Sequence, residues 1–266
     1  MSALAEAPIW LIGCGNMGGA MLRRWIATGM DPRRVTVVTR GPAELPAGVR
    51  HLTAVPEDES SGIVVLAVKP QQLDAVAPSL APVRPALLVS ILAGVEVAAL
   101  AARIPAGAIV RAMPNLPVAI GKGVTALFAG AIDAEDRGVA ERLATPLGLV
   151  EWIDDEAQFD AVTALAGCGP GFVFRFADAL ASAGAALGLP ADQAMRLAIA
   201  TLEGSAIMAA SSLEAPAALA DRVASPGGST RKGLDVLDRE GALVALLTET
   251  LAASARRNAE MAAAAR

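Results

Sequence analysis

A short apolar segment that runs straight into three spaced glycines constrains the fold of this 266-residue chain more than any other feature. The segment Ile9–Ile12 has the composition of a buried strand, and a helical pattern follows the glycines. In such a strand-turn-helix unit the first glycine permits a tight turn, the second lets a phosphate approach the backbone, and the third allows close packing. The spacing predicts a dinucleotide site whose pyrophosphate lies against the turn formed by Gly13, Gly15 and Gly18.

The first half of the chain alternates strand-like and helix-like patterns, which is typical of βαβ units and a parallel sheet. The predicted strands are Ile9–Ile12, Val35–Thr39, Ile63–Val68, Leu87–Ile91, Ala108–Ala112, Gly123–Phe128 and Leu149–Trp152. The predicted helices are Met17–Thr28, Pro70–Leu80, Val95–Arg103 and Ala134–Thr145. We therefore expect residues 1–155 to form a Rossmann-type α/β domain with a mostly parallel, doubly wound sheet.

Residues 156–266 have a different pattern, rich in alanine and leucine at helical spacing and interrupted by glycine and proline. This pattern predicts an all-α second domain. Helices that are apolar on several faces need another surface to cover them, so we expect this domain to pair with a second copy of the chain in a homo-oligomer.

Composition argues against several classes of partner and site. A net charge of −5 and 3% aromatic residues offer neither a basic groove nor stacking surfaces for nucleic acid. Charges and prolines interrupt every long apolar stretch, so we expect no membrane span. The N-terminus lacks the basic region of a secretory signal and two cysteines cannot build a disulfide framework, which favours the cytoplasm. We expect the single histidine, His51, at the surface or a strand edge, and we predict no metal site.

The end of the second predicted strand bears on the choice of cofactor. Enzymes that use NAD usually have an acidic residue there for the ribose hydroxyls, whereas this chain has Thr39 and Arg40. Arg40 follows the last fingerprint glycine by about the 20 residues typical of that position. Because a guanidinium suits a 2′-phosphate, the sequence favours NADPH over NADH; the alternative is a solvated arginine at a strand end.

Two more strand ends carry polar groups. Ala67, Val68 and Lys69 end a fully apolar strand, at the edge where ligands of open α/β sheets bind. Lys69 is expected beside cofactor or substrate, the alternative being an ordinary surface lysine. Asn115 lies between two prolines in the segment 111–117, which predicts a rigid loop at the nicotinamide end of the site.

Two glycine-rich turns lie at helix ends in the second half. Ala166–Gly171 interrupts a helix, and Ser225–Thr230, with the sequence Ser-Pro-Gly-Gly-Ser-Thr, begins another. The unpaired N–H groups of a helix start, with hydroxyls beside them, suit a small carboxylate. For an isolated Ser-Pro pair, an ordinary helix cap is the simpler interpretation.

Five segments in this order resemble the Δ1-pyrroline-5-carboxylate reductase family: 13–18, 67–71, 111–117, 161–170 and 224–230. The resemblance runs from about Pro8 to Met261. It implies hydride transfer from NADPH to the C=N carbon of Δ1-pyrroline-5-carboxylate, which gives proline in the last step of its biosynthesis. A protonated cyclic imine accepts hydride readily, so such an enzyme needs alignment of donor and acceptor rather than a metal or an imidazole.

The resemblance also implies roles for individual residues. The residues expected at the substrate are Glu156, Ser225, Gly227, Gly228, Ser229 and Thr230. Thr230 would lie near the ring nitrogen, and it and Lys69 are the candidate catalytic groups. For Glu156 the alternative is an acid that stabilises a helix start. On the cofactor side, Asn16, Met17, Ala67, Val68 and Lys69 would contact the dinucleotide, Arg40 the 2′-phosphate, and Ala93, Gly94 and Asn115 the nicotinamide.

The resemblance implies assembly as well. Members of the family pair their helical halves into intertwined dimers, which often assemble further as five dimers. Each active site uses two subunits. We therefore expect residues 156–266 to serve as both the dimerisation and the substrate domain.

Three departures from the family pattern bear on substrate preference. Ala166 and Cys168 replace two hydroxyl residues of the helix break, and Gly171-Phe172 replaces an Ala-aromatic pair. Arg175 stands at a usually apolar position. We hypothesise that it either forms a salt bridge within the oligomer or attracts a substrate carboxylate. Ala54 stands where the family often has an asparagine at the adenine end.

Other functions fit part of the pattern. A reductase of another cyclic imine carboxylate would share these motifs. A non-catalytic NADPH-binding sensor would need only the first half, and the intact Ser225–Thr230 segment argues against it. Reductases of 2-hydroxy acids on a similar plan usually need a lysine on the first long helix of the second domain, and residues 160–187 contain none.

Overall fold

The structure is a computed structural model that describes residues 3–264. The chain divides into two compact units. The first contains the residues up to Cys168 together with those from Ser254 onward, and the second is Gly169–Ala253. This division differs from the predicted boundary at residue 155, because residues 156–168 and the end of the last helix pack within the first unit.

An eight-stranded sheet forms the centre of the first unit. Its strands are β1 (Ile9–Ile12), β2 (Val35–Val38), β3 (Arg50–Leu52), β4 (Ile63–Leu66), β5 (Leu87–Ser90), β6 (Ala108–Pro114), β7 (Gly123–Ala129) and β8 (Gly148–Trp152). They lie in the order β3-β2-β1-β4-β5-β6-β7-β8. All neighbours are parallel except β6 and β7, which are antiparallel. The predicted mostly parallel, doubly wound sheet is confirmed.

Helices cover both faces of this sheet. They are α1 (Asn16–Ala27), α2 (Leu73–Leu80), α3 (Val97–Ala101), α4 (Ala134–Ala144) and α5 (Phe159–Val162). Side chains of α1 and α4 belong to the hydrophobic core on one face, and those of α2 and α3 to the core on the other. Successive residues of β1 alternate between the two cores, as the pleat of a strand requires. Because both faces are covered, all four residues of β1 are buried, which explains its unbroken apolar sequence.

The edge strand β3 is the strand that the sequence pattern did not predict. It is three residues long, its first two residues are exposed, and it consists of Arg50, His51 and Leu52 rather than an apolar run. Its register is fixed by pairing with β2. His51 therefore lies at a strand edge, as expected, and its Nε2 is 3.2 Å from the carbonyl oxygen of Thr39.

The second unit is helical, as predicted. It contains α6 (Gly169–Ala186), α7 (Ala191–Ser211), α8 (Pro216–Arg222), α9 (Ser229–Leu237) and the first part of α10 (Ala242–Ala264). Its buried core is small and consists of Ala181, Ala194 and Ala198. Many large apolar side chains are exposed on a single chain, among them Val173, Phe174, Phe176, Leu197, Ile199, Ile207 and Met208. None of the helices described here is both long and apolar enough to cross a membrane.

Candidate active site

The candidate cofactor site lies where the strand order reverses, at β1 and its neighbours β2 and β4. Main-chain hydrogen bonds extend the sheet beyond the ends of these strands. The N–H of Gly13 donates to the carbonyl of Val38 at 2.8 Å, and the N–H of Ala67 donates to the carbonyl of Ile12 at 2.8 Å. The turns that follow the three strands are therefore held side by side at one edge of the sheet.

The three glycines of the first turn have separate roles. Gly13 has a φ of +91°, and a Cβ there would lie 2.7 Å from the carbonyl oxygen of Ala67, so only glycine fits. A Cβ at Gly18 would lie 3.1 Å from the Cβ of Ala67, which reflects the close packing of α1 on the end of β4. A Cβ at Gly15 would meet nothing within 4 Å. The space in front of Gly15 is open, as a bound pyrophosphate requires.

A cavity of about 680 Å³ lies at these strand ends, a size typical of a site for a small ligand or cofactor. We call it the nucleotide cavity. The predicted cofactor residues that line it are Gly13, Gly15, Thr39, Arg40, Ala67, Val68 and Lys69. Asn16, Met17 and Gly18 form the first turn of α1, directly after the lining residue Gly15.

The electrostatics of the nucleotide cavity suit a phosphate. Arg40 and Lys69 are exposed, and Glu57 is the acidic residue of the lining. The N-terminal end of α1 adds the positive end of a helix dipole. Burial raises the pKa of the Cys14 thiol, with the charge of Arg23 acting in the opposite direction. The thiol therefore stays neutral at pH 7 and adds no negative charge beside a phosphate.

Several residues that line the nucleotide cavity were not predicted as cofactor residues from the sequence. These residues follow β3 or lie on and just before α2: Thr53, Val55, Glu57, Gln72, Ala75, Val76 and Ser79. Because β3 was not recognised, the sequence did not indicate that the segment after it reaches the cofactor site. The residues near α2 recur at helical spacing, which was an available signal. Ala54, named above as a departure, also lines this cavity.

A second cavity, of about 370 Å³, lies in the first unit beside the turn between β5 and α3. We call it the Gly94 cavity. Gly94 lines it together with Arg111, Glu156 and Phe159. Of the three residues predicted at the nicotinamide, Gly94 lines this cavity, and the exposed Ala93 lies in the same turn as Gly94.

Arg111 and Glu156 form an ion pair in the wall of the Gly94 cavity. Nη1 of Arg111 donates to Oε1 of Glu156 at 2.7 Å, and the same oxygen accepts the N–H of Val97 at 2.8 Å. The side chain of Arg111 is 8% exposed and that of Glu156 is 25% exposed. The guanidinium also lies 4.3 Å from the centre of the Phe159 ring. One carboxylate oxygen thus joins β6 to the first residue of α3 and fixes the turn before that helix.

These contacts change the interpretation of two residues. Glu156 was predicted at the substrate, and the structure engages one of its oxygens in the protein framework. Arg111 entered the sequence analysis only as part of a motif. An arginine in an otherwise apolar strand was the available signal, because buried arginines are rare unless paired.

Asn115 is buried and joins two segments through its side-chain amide. Its Oδ1 accepts the N–H of Val124 at 2.8 Å, and its Nδ2 donates to the carbonyl of Ala166 at 2.9 Å. Ala166 belongs to a π-helical turn, Thr163–Gly167, which follows α5. Asn115 therefore holds β7 and this turn together in the first unit.

The predicted substrate segment, Ser225–Thr230, belongs to the second unit, where it connects α8 to α9. The N–H of Gly228 donates to the carbonyl of Ser225 at 2.9 Å, and Gly227 has a φ of +71°, which together make a tight turn. Gly228 caps α9 without a side-chain hydrogen bond. The first N–H groups of α9, at Ser229 and Thr230, therefore have no acceptor within the helix and suit a carboxylate.

Two other predictions concern metals and Arg175. Within residues 3–264, no three His, Cys, Asp or Glu side chains are grouped closely enough to hold a metal ion.

Arg175 lies 3.4 Å from the carboxylate of Asp178 on the same helix, and its side chain is 83% exposed. A pair so exposed contributes little to stability, and both hypotheses for Arg175 stay predictions.

Comparison with known families matches both halves of the chain. Residues 156–261 match the family described as pyrroline-5-carboxylate reductase dimerisation. Residues 8–94 match the family described as NADP oxidoreductase, coenzyme F420-dependent. These two segments contain the predicted substrate segment, Ser225–Thr230, and the three glycines of the first turn, respectively.

Curated relatives and solved structures match almost the whole chain. A pyrroline-5-carboxylate reductase from Pseudomonas aeruginosa is 38% identical over 96% of this chain and 96% of its own. The enzyme of the same name from Synechocystis is 35% identical over 94% of this chain and 97% of its own. The structure of a pyrroline-5-carboxylate reductase from Coxiella burnetii superposes with a TM-score of 0.89 at 32% identity, covering 96% of this chain and 98% of the other.

The Arg111–Glu156 pair leads to a prediction about stability. We expect Glu156→Ala to lower the free energy of unfolding by about 2 kcal/mol, because it leaves a nearly buried guanidinium without its carboxylate. Glu156→Gln keeps an oxygen acceptor and should cost less. Urea unfolding of the purified protein measures both changes.

Glu59→Ala is the matched control. It breaks the exposed pair of Glu59 with Arg50, whose side chains are 43% and 48% exposed, and it should cost less than about 1 kcal/mol. Equal losses for Glu156→Ala and Glu59→Ala would contradict a framework role for Glu156.

Proposed function

The chain belongs to the pyrroline-5-carboxylate reductase family, and from that membership we propose that it reduces Δ1-pyrroline-5-carboxylate to proline with NAD(P)H. The observation that carries this proposal is the match over almost the whole chain to enzymes of that name. It is supported by a nucleotide cavity in the first unit and by an uncapped helix start after Ser225-Pro226-Gly227-Gly228 in the second. A pure NADPH-binding protein has no use for the second of these features.

The cofactor is NAD(P)H, and we propose a preference for NADPH. Arg40 provides a guanidinium for the 2′-phosphate, in a cavity whose lining also includes Lys69. The N–H groups at the start of α1, at Asn16, Met17 and Gly18, provide donors for the pyrophosphate. We assign the nicotinamide end to Ala93 and Gly94, with Asn115 holding together the segments that form its surroundings.

We assign the substrate carboxylate to Ser225, Gly227, Gly228, Ser229 and Thr230. Main-chain N–H groups at the start of α9 and three hydroxyls are the donors available there. Thr230 is the second residue of α9. We assign its hydroxyl to a hydrogen bond with the ring nitrogen of the substrate. Glu156 is proposed to act on the substrate side through the Gly94 cavity, with one oxygen kept in the Arg111 pair.

The reaction mainly requires that the protein align the hydride donor with the acceptor carbon. When bound, NAD(P)H supplies the hydride that adds to the C=N carbon, while the ring nitrogen keeps the proton of the iminium and becomes the amine of proline. The substrate segment binds the carboxylate and thereby fixes the orientation of the ring. Thr230 donates to or accepts from the ring nitrogen, and Lys69 offsets negative charge beside the dinucleotide.

The chain is a homo-oligomer, because its second half belongs to a dimerisation family. We propose a homodimer formed through the helical domain, residues 156–266, with each active site completed by both subunits. The apolar side chains left exposed on α6 and α7 support this pairing. A decamer of five dimers and a cytoplasmic location, which fits the two free cysteines, are further proposals.

The test of the proposed function is NADPH oxidation, followed at 340 nm, with Δ1-pyrroline-5-carboxylate as substrate. We expect turnover that depends on this substrate and gives proline. We expect Thr230→Ala to lower kcat/KM for the imine by about tenfold or more, the loss typical of a hydrogen bond to a charged group. Thr250→Ala, a matched change at a half-buried position of α10 outside the substrate segment, should leave kcat/KM unchanged.

Other outcomes identify the rival functions. Faster turnover of a six-membered cyclic imine carboxylate would indicate a reductase of that substrate instead. Tight NADPH binding with no turnover of either ring would overturn the proposal and favour the sensor.

Arg40 leads to a prediction about cofactor preference. We expect Arg40→Met to lower kcat/KM for NADPH by about ten- to a hundredfold, because a charge-assisted contact to the 2′-phosphate is lost. NADH lacks that phosphate, so its kcat/KM should change by less than about twofold. Lys122→Met removes the same charge from a residue outside the nucleotide cavity and should affect neither cofactor. Equal losses for NADPH and NADH would contradict the assignment of Arg40.

A further inference from the structure

We infer that Arg231 is a positioning residue for the substrate: it holds the segment between α8 and α9 in the turn that presents N–H groups to the carboxylate. The inference rests on the proposed function of that segment. Arg231 directly follows Thr230 on α9, and its guanidinium contacts three carboxylates at once. No motif or sequence pattern discussed above pointed to it.

Each nitrogen of the guanidinium has its own acceptor. Nε donates to Asp235 at 2.9 Å, Nη1 to Asp221 at 3.1 Å and Nη2 to Asp238 at 3.3 Å. The Arg231 side chain is 30% exposed, although its three partners are between 50% and 74% exposed. The planar guanidinium of an arginine can donate to three separate carboxylates at once, whereas the ammonium of a lysine is a compact point charge and is less suited to this arrangement.

One of these three contacts spans the substrate segment. Asp235 and Asp238 lie on α9 or at its end, so their pairs with Arg231 stay within one helix. Asp221 lies in the last turn of α8, before the segment, and Arg231 lies in the first turn of α9, after it. The Asp221–Arg231 pair therefore closes the loop at its base.

The loop between Asp221 and Arg231 contains one tight turn and is held by few other hydrogen bonds. Besides the Ser225–Gly228 bond already described, the N–H of Ala224 donates to the carbonyl of Asp221 at 3.0 Å. Asp221 thus anchors the start of the loop with its main chain and the end of the loop with its side chain. A loop held at both ends loses less conformational entropy when it binds a ligand, so the pair should strengthen substrate binding without taking part in the reaction.

The chain supplies matched variants to test this role. Arg231→Met removes all three contacts, and Asp221→Asn removes the charge of the acceptor that spans the loop while keeping its size. Asp235→Asn weakens a contact within α9 only. Lys232→Met removes a neighbouring charge whose side chain is 77% exposed and whose ion pair, also to Asp235, is 3.9 Å long.

The first measurement is steady-state kinetics on the full-length protein with saturating NADPH and varied Δ1-pyrroline-5-carboxylate. We expect Arg231→Met and Asp221→Asn to raise KM for the imine about three- to tenfold with kcat within about twofold, the pattern of lost substrate binding. KM for NADPH should not change. Asp235→Asn and Lys232→Met should keep the KM of the wild type, and Arg231→Lys should fall between wild type and Arg231→Met.

The second measurement is hydrogen exchange at residues 224–230 of the same proteins, which needs no activity. Faster exchange there in Arg231→Met and Asp221→Asn, but not in Lys232→Met, is the expected result. Wild-type exchange and wild-type KM in Arg231→Met and Asp221→Asn would overturn the inference while leaving the proposed function intact. If the wild type turns over no imine, the proposed function fails and the role in substrate binding fails with it, whereas the exchange data still report whether Arg231 orders the loop.

Discussion

The close approach of the β1–α1 turn to the end of β4 is the constraint on which the nucleotide site depends. A side chain at residue 13 would clash with the carbonyl of Ala67, and one at residue 18 would push α1 away from the same residue. Only with both positions empty does α1 start at the edge of the sheet, with its first N–H groups facing the open space in front of Gly15. The start of α1, whose N–H groups are proposed to bind the pyrophosphate, therefore depends on this contact.

The starts of α1, α3, α4 and α9 differ in the groups that meet their first N–H donors. The start of α4 is capped by the side chain of Asp133, and the first N–H of α3 is bound by Glu156, a residue distant in sequence. The starts of α1 and α9 follow Gly15 and Gly228, which have no side chain to offer. A buried or structural helix end needs its N–H groups satisfied, whereas a binding site needs them free. The two uncapped glycine starts are the two assigned to phosphate and carboxylate.

The sequence predicted those features that depend on local pattern. The unbroken apolar strands, the three glycines and the helical second half are each encoded in a few consecutive residues, and the structure confirms the elements they predict. The short strand β3 was missed because an exposed edge strand needs no apolar run. Arg111 and Glu156 are 45 positions apart, and their pairing depends on how β6 and the 156–158 turn meet, which no local pattern records. Arg231 was missed for a similar reason, since Asp221 lies on the preceding helix and is brought to it by the turn between α8 and α9.

The departures at residues 166 and 168 can be judged by the atoms that the framework uses there. Asn115 binds the main-chain carbonyl of Ala166, and the π-helical turn is closed by the N–H of Cys168 and the carbonyl of Thr163 at 2.8 Å. Neither bond involves the side chain at 166 or 168, so the loss of two hydroxyls does not disturb this turn. Gly167 lies close to Met113: a Cβ at residue 167 would be 2.8 Å from the methionine Cε, a contact that the flexible end of that side chain can relieve by moving. The turn therefore depends on main-chain atoms at residues 166 and 168, and the loss of the two hydroxyls affects only the groups that they would have contacted.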